Sequence, residues 1–134
     1  MYCINTDNKK IALKISSYEL KDGLSFFTED DDFIQVGGWN YPKGKSLASH
    51  IHNDIPRLVG RTQEFIYVIR GLIKVSIYDD NDTFLEELYL KTNDFLVLFA
   101  GGHGYEILEN NTQVIEVKNG PYLGADVDRR RINL

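Results

Sequence analysis

Short runs of β-branched and aromatic residues, each closed off by turn-forming residues, limit what this chain can fold into. The runs are Ile11–Ser16, Leu24–Phe27, Phe33–Tyr41, Lys45–His52, Gln63–Arg70, Leu72–Tyr78, Phe84–Leu90, Asp94–Phe99, Gly104–Leu108 and Gln113–Val117. Between them stand Asp22-Gly23, Glu29-Asp30-Asp31-Asp32, Pro42-Lys43-Gly44, Asp79-Asp80-Asn81-Asp82, Thr92-Asn93-Asp94 and Glu109-Asn110-Asn111. Residues of these types tolerate a left-handed backbone or satisfy turn amides with their own side chains. Runs this short suit strands better than helices. No 3.6-residue periodicity is sustained; Lys14–Lys21 has some helical character but carries Ser16, Ser17 and Tyr18. The pattern predicts an all-β antiparallel sandwich or barrel.

The run Phe65-Ile66-Tyr67-Val68-Ile69 is apolar on both alternating faces. A strand with one wet face alternates apolar and polar residues, so this one must be covered on both sides. The outer cover is either a second subunit or the N-terminal segment of the same chain. With 134 residues and 43% hydrophobic residues, the chain has the material for one core, and residues 1–134 are read as a single domain. The net charge of −5 argues against a nucleic-acid surface. Met1–Asn5 shows neither a basic nor an apolar leader region, and no run approaches the roughly 20 apolar residues that span a bilayer. Cys3 is the one cysteine, which excludes an intrachain disulfide. A cytoplasmic protein is expected, without membrane or nucleic-acid partners.

All three histidines fall into one pattern. His50 and His52 are two apart, a spacing that on a strand points both imidazoles to one face. Imidazole is the commonest ligand for borderline first-row metals. Glu64 opens the next strand, on the face of Ile66 and Val68. A carboxylate at the end of an apolar interior stripe is costly unless something pairs with it. His103 lies in Ala100-Gly101-Gly102-His103-Gly104-Tyr105, where glycines permit close backbone approach. Together, His50, His52, Glu64 and His103 are expected to hold one divalent transition metal: Fe, Mn, Ni, Zn or Cu. The acidic run Asp79–Asp82 lacks the spaced ligands of a calcium loop and reads as a solvated hairpin tip.

These residues resemble the motifs of the cupins. The first cupin motif is matched by Gly44, His50, His52, Glu64 and Gly71, with Asn53–Gln63 inserted between the second His and the Glu. The second is matched more loosely: Asn93-Asp94 opens it, Phe99 replaces a proline, and Ala100-Gly101-Gly102 precedes His103. The resemblance covers about residues 33–117. It implies a jelly-roll β-barrel with a metal inside one end, and a homodimer. The stretch Glu116–Gly124 is also similar to the tail of bacterial cupins that accompany surface-polysaccharide or nucleotide-sugar pathways.

The insertion carries Arg57 and Arg61, whose planar forks suit carboxylate or phosphate. They are read either as the clamp for a small anionic ligand or as partners of surface acids such as Asp54 or Glu29. Tyr41, Trp39 and Tyr105 either wall the pocket or pack elsewhere. The tail Asp128–Arg131 is either a solvated end or a cap on a neighbouring subunit. Two function classes remain. One is a metal-dependent enzyme on a small polar molecule, an isomerase or epimerase of a sugar derivative or a dioxygenase, with Tyr105, His50 or His52 moving protons. The other is a ligand-binding or sensor module without chemistry, and fold alone does not choose between them.

Overall fold

The structure, a computed structural model, describes residues 1–133. It is all-β except for a 3₁₀ turn over Ser17–Glu19 and the short helix α1 (Ala125–Asp128). The strands are β1 (Tyr2–Thr6), β2 (Lys9–Ser16), β3 (Gly23–Phe26), β4 (Gly37–Asn40), β5 (Glu64–Arg70), β6 (Leu72–Tyr78), β7 (Phe84–Lys91), β8 (Asp94–Leu98), β9 (Gly102–Ile107) and β10 (Gln113–Lys118). Five form one sheet in the order β1-β2-β8-β5-β10, three form a second in the order β7-β6-β9, and β3 pairs with β4 alone. Every pairing is antiparallel.

The two larger sheets face each other across the main core. Ile66 and Val68 of β5 and Leu96 and Leu98 of β8 meet Ile73, Val75 and Ile77 of β6 and Leu88 and Leu90 of β7. β8 is buried at every position, as its central place in the larger sheet requires. The outer face of that sheet carries Leu13, Ile15, Phe65, Tyr67, Phe95 and Val97. Phe27, Ile34 and Val36 pack onto it. The Phe95 ring lies 5.5 Å from Phe65 and 5.6 Å from Phe27. Two hydrogen bonds pin this cover: Ile34 N donates to Gln63 Oε1 (2.8 Å) and Val36 N to Thr28 Oγ1 (2.9 Å). The second cover of β5 is therefore a segment of the same chain.

Two local devices set the frame. Gly71 alone separates β5 from β6 and has φ of +95°, where side chains are strained. A Cβ there would also run into the backbone and side chain of Thr112. The β7–β8 hairpin is organised by buried Asp94, which accepts from Lys91 N (3.0 Å) and Ser16 Oγ (2.5 Å). The acidic tip is likewise used up locally. Asp79 Oδ1 accepts from the Asn81 and Thr83 amides, Asp80 pairs with Lys9 and Arg61, and Asp82 with Arg130. Arg130 thus ties the C-terminal tail to its own chain.

Several sequence expectations are corrected. β1 was not expected, and Phe33–Tyr41 narrows to β4. The strand expected over Lys45–His52 is absent. From Tyr41 to Gln63 there is no strand or helix, and residues 42–61 are all exposed. A strand needs a neighbour's backbone groups. The backbone bond within this stretch is the turn closure from Lys45 N to Pro42 O (3.2 Å). β9 and β10 consequently each end their sheet without a partner on the outer side, and the two sheets are not joined by backbone pairing. Gly71→Ala should destabilise the protein by at least about 2 kcal/mol, since left-handed strain and overpacking add. Urea denaturation checks this; a change within about 0.5 kcal/mol, the range of neutral surface substitutions, would contradict the role assigned to the corner.

Candidate metal centre

Strand register decides which side chains enter the space between the sheets. On β5, Glu64, Ile66 and Val68 are buried on the inner face. Pairing of β10 with β5 sets Val114 opposite Val68, Glu116 opposite Ile66 and Lys118 opposite Glu64. Pairing of β9 with β6 sets His103 opposite Ile77, Tyr105 opposite Val75 and Ile107 opposite Ile73. Glu64, Glu116, Lys118, His103 and Tyr105 therefore share the inner space at the open side of the sandwich.

Glu64 is the centre of this group. Its Oε1 lies 3.4 Å from Lys118 Nζ, which also reaches Glu116 Oε1 at 3.0 Å. Its Oε2 lies 2.9 Å from His103 Nε2, but the approach is not aligned as a hydrogen bond, and this buried oxygen accepts none. Two donors bonded at about 2.1 Å to one ion and at right angles to each other stand about 3 Å apart, so the pair has the spacing of two ligands of a common centre. An imidazole nitrogen and a carboxylate oxygen also form a donor set that borderline divalent metals accept.

Burial pushes the Glu64 carboxyl up, but the charges of His103 and Lys118 outweigh it and hold the group below the ordinary carboxylate value. Tyr105 is the reverse case. Its residue is 42% exposed, yet its phenol is pushed well above its ordinary range by burial first and by the Glu64 and Glu116 carboxylates next. The exposure is that of the whole residue; the phenol faces the two carboxylates. The ring lies 5.3 Å from that of His103. Tyr105 therefore remains a protonated hydrogen-bond donor wherever the fold persists.

His50 and His52 lie elsewhere, in the exposed segment between β4 and β5. Their rings stand 4.9 Å apart, and His50 Nδ1 is 3.1 Å from Ala48 O. The structure thus brings the four residues together as two pairs, His50 with His52 and Glu64 with His103. Among the described residues it gathers no group of three or more metal-ligating side chains. The same-face geometry expected for the histidine pair does not apply, because the strand that would impose it is absent.

Arg61 Nη1 pairs with Asp80 Oδ1 at 2.6 Å, and Asp80 is held at about 2 by Lys9 and Arg61. Arg57 is exposed and makes no ion pair among the described residues. Tyr41 is half-buried, with Lys45 Nζ 5.4 Å from its ring centre. None of these three touches the Glu64–His103 pair in a listed hydrogen bond or ion pair of the structure. Lys118 and Glu116 were missed by sequence reading. Their signal was the alternation Val114, Glu116, Lys118 against Ile115, Val117, which places two charges on an inner face.

No protein-family model, curated protein or solved structure matches the chain. No helix among the described residues is long and apolar enough to cross a membrane.

A lowered carboxyl stabilises the folded state fully above the unfolded value, 4.5 for glutamate, and that contribution fades as pH falls through the folded value below it. The stability difference between the native chain and Glu64→Gln should therefore be constant above about pH 5 and shrink below 4.5. Urea midpoints measured across this window test it; a difference that grows on acidification would reverse the sign assigned to Glu64.

Proposed function

We propose that this chain is a cupin-type protein that holds one divalent transition metal between its sheets and acts on, or binds, a small polar or anionic molecule. The observation that carries the reading is the meeting of Glu64 and His103 at 2.9 Å with a carboxylate oxygen left without a hydrogen bond. They come from two separate sequence motifs and from two different sheets. Two antiparallel sheets facing one core, with Gly71 at the corner after β5, are what a jelly roll needs. Its closure into a barrel is part of the proposal.

In this reading Glu64 and His103 are the core-borne ligands, and His50 and His52 complete the set. Lys118 occupies the other oxygen of Glu64 and fixes the carboxylate's orientation, as partners of metal ligands do. A divalent metal at these residues supplies Lewis acidity toward a carbonyl or enediolate, or dioxygen activation. Tyr105, held protonated, donates a hydrogen bond or a proton to a ligand oxygen beside His103. The reaction class proposed is isomerisation or epimerisation of a sugar derivative. Arg57 belongs to the mobile-ligand side of the site as its anion contact, whereas Arg61 first has to leave Asp80.

The protein, purified without a histidine tag, should take up close to one Zn²⁺ or Ni²⁺ per chain. Glu64→Gln and His103→Ala should each weaken uptake at least about tenfold. Calorimetric titration of metal-free protein reads both. Protein that stays metal-free after incubation with Fe²⁺, Ni²⁺ and Zn²⁺ would remove the metal reading.

A further inference from the structure

We infer that residues 45–52 form a strap that docks as a strand on the free edge of β9 only when a divalent metal is bound, so that the metal closes the sandwich. The inference rests on the metal reading above. Three features of the molecule carry it.

The first is the open edge. β9 ends its sheet with an unpaired backbone row, and inner-face Ile107 is 60% exposed. An unpaired edge is a template for a further strand. Eight residues of strand span about 26 Å, enough to cover the six residues of β9.

The second is direction. Every pairing in the molecule is antiparallel. Laid antiparallel on β9, the strap puts its C-terminal end, with His50 and His52, beside the N-terminal end of β9, where His103 stands next to Glu64. Laid antiparallel on β10, it would put the histidines at the Gln113 end, away from Lys118 and Glu64. The β9 edge is therefore the one that unites the two ligand pairs. The strap's far end is already fastened nearby: Gln63 N donates to Asn119 Oδ1 (2.7 Å), and Asn119 Nδ2 donates to Arg61 O (3.3 Å).

The third explains why docking needs the metal. On a strand, Ala48, His50 and His52 share one face, and Leu47, Ser49 and Ile51 the other. Hydrophobic burial favours turning Leu47 and Ile51 inward, and they are now 53% and 93% exposed. Ligand geometry favours the opposite face. A one-residue slip exchanges the two. With neither register favoured on both counts, the strap lies in solvent. Metal binding adds free energy to the histidine-in register alone and so decides between them.

Hydrogen exchange of metal-free protein with and without stoichiometric Zn²⁺ tests this. Amides of 45–52 should exchange at least about tenfold more slowly with Zn²⁺, together with edge amides of β9. Binding of Zn²⁺ by calorimetry with unchanged strap exchange would overturn the closure while leaving the metal reading intact. Absence of Zn²⁺ binding would overturn both. A strap already protected without metal would overturn the gating. A Zn²⁺-dependent rise to dimer mass in sedimentation would mean that a second copy's strap fills the edge, and would overturn closure within one chain. The double variant Leu47→Pro/Ala48→Pro blocks strand pairing in a segment that makes none in the open form. Its metal-free melting temperature should be unchanged and its Zn²⁺ affinity at least about tenfold weaker. Equal affinity would overturn the inference.

Discussion

The fold is governed by the need to cover both faces of the five-stranded sheet. β8 has no exposed position, and β5 sends Ile66 and Val68 one way and Phe65 and Tyr67 the other. One face takes the three-stranded sheet and the other takes Phe27, Ile34 and Val36. Both covers come from within the chain. Fully burying each such side chain contributes about 1.5–3 kcal/mol, so these two layers account for far more stabilisation than any surface ion pair. What the covering layers do not reach is the side where β9 and β10 end. That side is where the polar inner residues gather.

Most of the architecture was legible in the sequence because it follows from alternation and turn chemistry. β2 and β5 to β10 lie within a few residues of the runs that announced them, and Gly71 turns where β-strand residues on both sides require it. The two-sided apolar run of β5 gave the need for a second cover but not its source, since periodicity within a strand says nothing about which distant segment packs on it. β1 was overlooked although Asp7-Asn8 marks a hairpin turn before Lys9. Lys45–His52 failed for a different reason. Its alternation is strand-like, but a strand exists only with a partner edge and a register, and here the apolar and histidine faces compete for the inside.

The candidate centre divides along the same line. Glu64 and His103 were legible because each sits on or beside a well-defined strand, and the sheets then bring them together at 2.9 Å. His50 and His52 were legible as a pair but not in place, since the element meant to carry them is not a strand. Lys118 and Glu116 required the β10–β5 register, which no single stretch of sequence contains. Arg61 shows that a residue's chemistry does not choose its partner: Asp80, from a hairpin distant in sequence, takes it.

The stitching of Asn119 to Arg61 and Gln63 has a consequence for how strongly the two histidines act on the core pair. Being held at both ends, they behave as a tethered second ligand at an effective concentration in the millimolar range, rather than as a group diffusing freely. That concentration falls slowly as the tether lengthens, roughly as the −3/2 power of its length. The eleven-residue stretch Asn53–Gln63 is thus a dial on metal affinity that touches no ligand. Changing its length alters how often the histidines return to the edge, while the chemistry at Glu64 and His103 stays the same.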